Sequence, residues 1–170
     1  AVQSQAETLD EALIASQTVI PTASPTAAPF VALHRPLTGA VLRGYSAQAP
    51  VYFPAAQSYA PHPAADLATE YGAEVAACGD GVITFVGEDG PWGLCVVIDH
   101  GGSLQSRYCG LAEAPALRVG DRVRQGQAIG NVGDGVSAEQ GEEPHLHLEV
   151  WRDGAPCDPL SLFLLEGLDK

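Results

Sequence analysis

Short apolar runs recur along the chain from about residue 34 onward, and turn-forming residues separate them. The runs are of strand length and rich in Val, Ile, Leu and aromatic residues: GVITFVG, GLCVVIDHGG, SLQSRYCGL, RVGDRV, QAIGNVG and HLHLEVW. Between them lie the turn signals EDGPWG, HGG, VGD and RDGAP. Because no long stretch of this part has a helical period, the pattern predicts a mainly β domain of short strands and tight turns.

The N-terminal part of the chain has a different composition. AETLDEALIAS has the composition of a short helix, and the QTVIPTASPTAAPF that follows is rich in Pro, Thr and Ala without a sustained period. We therefore predict an N-terminal segment and linker over residues 1–33 and a single domain over 34–170.

The charge balance argues against two classes of partner. The 170 residues include 8 Lys+Arg and 21 Asp+Glu, a formal net charge of -13, whereas a nucleic-acid backbone or an anionic membrane surface requires a basic footprint. No run reaches the roughly 18 to 20 apolar residues that span a bilayer. The sequence contains no methionine, so we expect that it was processed or cut from a longer protein, which leaves room for a membrane anchor ahead of it.

The four cysteines, Cys78, Cys95, Cys109 and Cys157, form no CxxC pair and so lack the spacing of a zinc knuckle. We interpret them as small buried residues. One disulfide among them is compatible with an exported protein, but the sequence does not fix a pairing.

Two histidines stand two apart in PHLHLEV. In a strand His145, His147 and Glu149 share one face, and the leucines between them share the other, which should be the core. Same-face neighbours are roughly 6 to 7 Å apart, so both imidazoles can approach one metal ion, or one can bind metal while the other faces a substrate. The alternative is a solvated polar face of an amphipathic strand.

A second group of ligand types lies upstream, in YAPHPAADLATEYGAEV. His62 and Asp66 are good zinc ligands, and an open zinc site typically uses three protein ligands and a water. Because Pro63 disfavours a regular helix here, the pair should lie in a loop entering a strand. His62, Asp66 and one histidine of the HxH pair would complete such a site.

These pieces together resemble the LytM/lysostaphin-type zinc metallopeptidases, which cut peptides of the bacterial cell wall. From about residue 36 to 163 the matching segments occur in the family's order: HxxxD, YGAEVAACGDGVI, WGLCVVIDHGGSLQSRY, RVGDRVRQGQAIGNVG, PHLHLEV and DGAPCDPLSLF. The resemblance implies an antiparallel sheet that forms a groove, with a zinc ion on the groove floor and a barrel-sandwich-like topology. The loops around 87–93 and 133–143 should form the groove walls.

The resemblance also implies roles for individual residues. His62, Asp66 and His147 would be the zinc ligands, and His145 would be catalytic, facing the substrate. Glu149 would orient His147, since ligating histidines usually need an outer partner. Zn²⁺ is thus the implied cofactor.

One position departs from the family. Its enzymes carry another histidine in a Y-x-H-L stretch, and here RYCGL places Gly110 there. Cys109 should point to the other face, since only a bulge would turn it toward the groove. The other two histidines, His34 and His100, are assigned no catalytic role.

This departure is typical of the degenerate members similar to stage II sporulation protein Q, which dock a partner protein. The resemblance therefore implies a zinc-binding, extracytoplasmic domain of the cell envelope that binds peptidoglycan peptides or an envelope partner protein, as in sporulation. The alternative is an active zinc endopeptidase on peptidoglycan. A biotinyl or lipoyl carrier, which the segment LRVGDRVRQGQAIGNVG resembles, is excluded because the sole lysine is the terminal Lys170.

Overall fold

The structure is a computed structural model that describes residues 32–113, 116–134, 136, 139 and 141–163. The predicted linker therefore lies outside the described residues, apart from its last two positions. Among the described residues no helix is long and apolar enough to cross a bilayer.

Twelve strands and two short 3-10 helices make up the regular structure of the described residues. The strands are β1 (Ala40–Arg43), β2 (Ser46–Phe53), β3 (Ser58–His62), β4 (Ala65–Ala68), β5 (Glu74–Ala76), β6 (Gly81–Glu88), β7 (Leu94–Gly101), β8 (Leu104–Glu113), β9 (Arg122–Val123), β10 (Ala128–Val132), β11 (His145–Arg152) and β12 (Ala155–Cys157). The 3-10 helices are Gly90–Trp92 and Pro159–Leu162.

The main sheet has the strand order β1-β4-β11-β8-β7-β6-β9, with β10 paired to β5 and β8, and β12 paired to β11. All the strand pairs are antiparallel, and β2 and β3 form a separate hairpin. The prediction of a mainly β fold built on an antiparallel sheet is confirmed.

Strand β11, which lies between β4 and β8, separates the core from the polar face as the alternation predicts. Leu146, Leu148 and Val150 are fully buried in the hydrophobic core, where each buried aliphatic side chain stabilises the fold by roughly 1.5–3 kcal/mol. His145 and His147 lie on the opposite face of the same strand, because side chains alternate along it. The core therefore fixes which way the two imidazoles point.

The domain closes on itself through its first described residues. Leu33 is fully buried in the core, forms a parallel bridge with Phe163 and donates its backbone N–H to the carbonyl of Leu162 at 3.1 Å. Its neighbour His34 is exposed and bonds through its backbone N–H to the carbonyl of Cys78. Leu33, which the sequence pattern assigns to the linker, is thus packed against the core of the domain.

Candidate metal centre

The three predicted metal ligands meet at one point of the sheet. His62 ends β3, Asp66 lies in β4, and His147 lies in β11 directly opposite Asp66 in the strand register. Asp66 Oδ1 is 3.2 Å from His62 Nε2 and 2.9 Å from His147 Nδ1. All three side chains are buried. His62 and His147, which are 85 positions apart in the chain, therefore meet around Asp66, and the three residues present two imidazole nitrogens and a carboxylate to one another.

Their surroundings set which ring atoms face inward. His62 donates from Nδ1 to the carbonyl of Gly44 at 3.0 Å, which leaves Nε2 free to act as a ligand. The His147 ring stacks on Trp92, with 4.4 Å between ring centroids. Its Nε2 is buried without a hydrogen-bond partner and lies 3.5 Å from Glu149 Oε1. Glu149 thus faces His147 as an electrostatic neighbour, beyond ordinary hydrogen-bond length.

Glu139 joins the same cluster and was not among the residues selected from the sequence. Ligand atoms of His62, Asp66, Glu139 and His147 all lie within 4.8 Å of one another. Glu139 comes from the acidic segment DGVSAEQGEE, which the sequence marks as a loop, but nothing in its spacing distinguishes Glu139 from the other two glutamates. Only the folded loop shows that this carboxylate turns inward, where it is 2 % exposed.

Arg43, at the end of β1, neutralises the acidic side of the cluster. Its guanidinium donates to Asp66 Oδ2 at 3.1 Å and to Glu139 Oε1 at 3.0 Å, and it also pairs with Glu142. The same group lies 4.6 Å from the centre of the Phe53 ring, a distance suited to a cation–π contact. The burial of these carboxylates is therefore compensated by one shared cation, as buried charges require.

His145 lies beside this group and outside it. Its Nδ1 bonds to the carbonyl of Glu143 at 2.7 Å and its Nε2 to Glu139 Oε2 at 2.9 Å. Both partners are acceptors, so both ring nitrogens donate, which is the protonated form of histidine. Burial alone would lower the pKa of His145, but the bonds to Glu139 and Glu143 raise it above its usual value.

Hydrogen bonds within the cluster lower the pKa of its carboxylates and raise the pKa of His147. Burial would raise the pKa of Asp66, but hydrogen bonds from His147 and His62 lower it well below its usual range. Burial would likewise raise the pKa of Glu139, but hydrogen bonds from His145 and His147 lower it to about 2. Burial would lower the pKa of His147, yet Asp66 and Glu139 raise it to about 10. Both carboxylates are therefore anionic at neutral pH and ready to bind a cation.

Next to the cluster, β8 departs from a regular strand. Gly110 has a φ of +80°, and the pairing of β7 with β8 shifts register at this point. Cys109 lies opposite His147 in the pairing of β8 with β11 and packs with Trp92. The expectation that Cys109 points away from the site is thus wrong, because Tyr108 faces the core and ordinary alternation puts Cys109 on the face of His147.

Cys109 forms a disulfide with Cys95 of the neighbouring strand β7. The interpretation as small buried residues is confirmed for Cys78, Cys95 and Cys109 and wrong for Cys157, which is only partly buried. The one disulfide that the sequence left open joins Cys95 to Cys109. Since Cys109 carries no free thiol, it cannot take the role of the histidine that the resemblance leads us to expect at position 110.

The remaining histidines lie elsewhere. His100 donates to the carbonyl of Asp80 at 2.8 Å and contacts Ser106 Oγ at 2.7 Å, and Ser106 in turn bonds to the buried Tyr108. This network belongs to the core side of β8, where Tyr108 packs. With His34 exposed, only three of the five histidines of the chain are at the cluster.

Comparison with known proteins places this geometry in a family. Residues 60–159 match Peptidase family M23. The chain is 37% identical over 103 residues to the DD-carboxypeptidase/endopeptidase Mpg of Neisseria meningitidis serogroup B, which covers 61% of this chain and 23% of that protein. It is 32% identical over 98 residues to stage II sporulation protein Q of Bacillus subtilis, covering 56% of this chain and 34% of that protein.

A solved structure, a zinc-containing peptidase from Vibrio cholerae, superposes with a TM-score of 0.66 at 28% identity over 76% of this chain and 40% of that one. The chain thus spans about a quarter to two fifths of the length of these three proteins. The family match covers more than half of the chain and includes all three predicted ligands. The chain belongs to Peptidase family M23.

Proposed function

We propose that this is a zinc-binding M23 domain of the bacterial cell envelope that binds peptidoglycan peptides or an envelope partner protein and has lost efficient peptide hydrolysis. The observation that carries the proposal is Gly110, which supplies no side chain at the position of a catalytic histidine. Of the histidines at the cluster, two are directed at the ligand group and only His145 remains for proton transfer.

Zinc fits the donor set of His62, Asp66 and His147. Imidazoles and carboxylates are the usual ligands of a zinc site, and the Asp66 carboxylate lies within 3.2 Å of both imidazoles. Zinc bound there would supply Lewis-acid chemistry. The zinc-containing Vibrio cholerae peptidase is consistent with this choice of metal.

The loss of hydrolysis follows from the number of proton-transfer groups. A missing general acid or base costs about 10²- to 10⁴-fold in rate, and no described side chain replaces the one absent at position 110. His145 is bound on both ring nitrogens by Glu143 and Glu139. Metal binding needs neither a histidine at position 110 nor a free His145, so the domain can keep its ion while its turnover is lost.

The relatives favour a location outside the cytoplasm. The names of the two curated relatives refer to endopeptidase activity and to sporulation, and we infer an extracytoplasmic domain, membrane-anchored or secreted, that follows the predicted linker. Domain limits of 34–170 and the role of a docking module belong to the same proposal.

The alternative, an active peptidoglycan endopeptidase, has one observation in its favour. The three ligands are present and gathered, and the relative with 37% identity is named as an endopeptidase. The two functions differ in whether the metal-loaded domain cuts cell wall.

Metal analysis and cell-wall assays on the same preparation separate these functions. We expect one zinc per chain, lost in Asp66→Ala, together with co-sedimentation with purified peptidoglycan or binding to an envelope protein, and no clearing of a peptidoglycan zymogram. The matched control for lysis is His147→Ala. Clear lysis by the wild type but not by His147→Ala would establish the endopeptidase, and a folded wild type without zinc would overturn both functions.

A further inference from the structure

We propose that Glu139 is a fourth metal ligand that closes the site, so that the bound ion has no position left for a substrate. This inference rests on the proposed metal site and concerns its accessibility. Catalytic zinc sites use three protein ligands and keep one position open, whereas sites that only hold the ion use four. The number of protein ligands therefore separates a working site from a closed one.

The distances around Glu139 fit a fourth ligand. Its Oε1 is 3.6 Å from His62 Nε2, and its Oε2 is 3.5 Å from His147 Nδ1. Four tetrahedral ligands, each about 2.0–2.2 Å from one ion, are separated by roughly 3.3–3.6 Å. The distances from Asp66 to the same two nitrogens are 3.2 and 2.9 Å, which are hydrogen-bond lengths. The Glu139 carboxylate thus lies at a distance from both imidazole nitrogens that a fourth ligand requires, through one oxygen to each nitrogen.

Glu139 is also held in place. Arg43 bonds to Oε1 at 3.0 Å and His145 to Oε2 at 2.9 Å, and the side chain is fully buried. Arg43 bonds to Asp66 as well, so one guanidinium spans the two carboxylates. Outer partners of this kind orient ligands and keep them charged.

The position of Glu139 argues against a role as a replacement general base. A base must bond to the water or group from which it takes a proton, whereas both oxygens of Glu139 are bonded to Arg43 and His145 and turned toward the ligand nitrogens. In this arrangement the carboxylate excludes a reacting water from the centre. Glu139 also accepts a hydrogen bond from Nε2 of His145, the ring nitrogen that would otherwise face a substrate.

Cobalt substitution tests the ligand number without relying on activity. Co²⁺ replaces zinc and reports coordination geometry through its visible absorption. We expect the Co²⁺ spectrum of the wild-type chain to stay unchanged when acetohydroxamate is added. In Glu139→Ala the same anion should change the spectrum, because a position has opened. Glu139→Gln keeps the shape of the side chain and its contact to Arg43, so it should fold even if Glu139→Ala does not. Its Co²⁺ spectrum should also change when acetohydroxamate is added.

Metal affinity gives a second readout. Competition with a chelator should show weaker Co²⁺ binding for Glu139→Ala by at least the roughly 10- to 100-fold that the loss of an outer partner costs. The exposed Glu143→Ala removes the same charge from the same loop and should match the wild type in affinity and spectrum.

Three results would overturn the inference. The first is a wild-type spectrum that responds to acetohydroxamate, and the second is a folded Glu139→Ala with unchanged affinity; both leave the proposed metal site intact. The third is a wild-type chain that binds no Co²⁺, which removes the metal site as well.

Discussion

Arg43→Met is the substitution for which the structure gives the clearest energetic expectation. The Arg43 side chain is 13% exposed and bonds to Asp66 and Glu139, whose side chains are fully buried. Removing one partner of a buried pair leaves an uncompensated charge and costs about 3–5 kcal/mol. For a domain of this size each kcal/mol lowers Tm by about 3 °C, so the metal-free variant should unfold about 10 °C or more below the wild type.

The metal should reduce this cost. A divalent ion at the cluster provides positive charge to the same carboxylates, so the metal-saturated variant should lose less stability than the metal-free one. By linkage, a change that destabilises the free form more than the bound form tightens binding. Two unit charges about 5 Å apart repel by about 3 kcal/mol at an effective dielectric constant of 20, which exceeds the roughly 1.4–2.7 kcal/mol expected for lost positioning. Arg43→Met should therefore bind zinc more tightly.

The assay is urea unfolding of wild type and variant, each with a chelator and with saturating zinc, together with a zinc competition titration. Arg118→Met, at an exposed arginine, controls for the loss of a surface charge and should change stability by less than about 0.5 kcal/mol. Equal destabilisation with and without zinc would refute the reasoning, because it would mean that Arg43 and the ion do not share the same carboxylates.

Three further predictions concern the scaffold. Reduction of Cys95–Cys109, which closes a separation of 14 residues, should lower the free energy of unfolding by about 3 kcal/mol; an unchanged urea midpoint after reduction would count against it. Leu148→Ala, at a fully buried core position, should cost about 2–5 kcal/mol, whereas the same measurement on the exposed Val119→Ala should show less than about 0.5 kcal/mol. Burial lowers the pKa of His100 below its usual 6.5, so its contribution to stability is complete above pH 6.5 and is lost as the pH falls toward the folded-state pKa. The stability difference between wild type and His100→Asn should accordingly shrink from pH 7.5 to pH 5.5, and a constant difference would contradict it.

Alternation along β11 made much of the site predictable. In HLHLEV the leucines must face the core, which fixes His145 and His147 on the opposite face before any tertiary information is used. The HxxxD segment could be joined to this strand through the order of motifs. The structure then brings His62, Asp66 and His147 together at 2.9–3.2 Å.

Glu139 and Arg43 could not be predicted in the same way. Glu139 is one of three glutamates within five residues of a loop, and no periodicity determines which carboxylate a loop turns inward. Arg43 lies in a strand near the start of the domain, and its partners are up to 99 residues away. Ion pairs of this kind depend on the path of the loop, which local sequence does not encode.

The Cys95–Cys109 disulfide could not be predicted from the sequence, for a different reason. Whether Cys95 and Cys109 meet depends on the register of β7 against β8, and that register shifts near Gly110. Cys109 lies on the face of His147 because Tyr108 faces the core and β8 pairs with β11 in regular register. Which strand lies beside it, and in which register, is tertiary information that the local sequence does not encode.

The backbone conformation of Gly110 disfavours any side chain at this position. At a φ of +80° a residue with a Cβ is disfavoured by about 1–2 kcal/mol, and the adjoining Cys109 is tied covalently to the next strand. A histidine placed at position 110 would start from a backbone conformation that disfavours it. Gaining a side chain there would thus cost backbone energy at the strand edge as well as requiring the substitution itself.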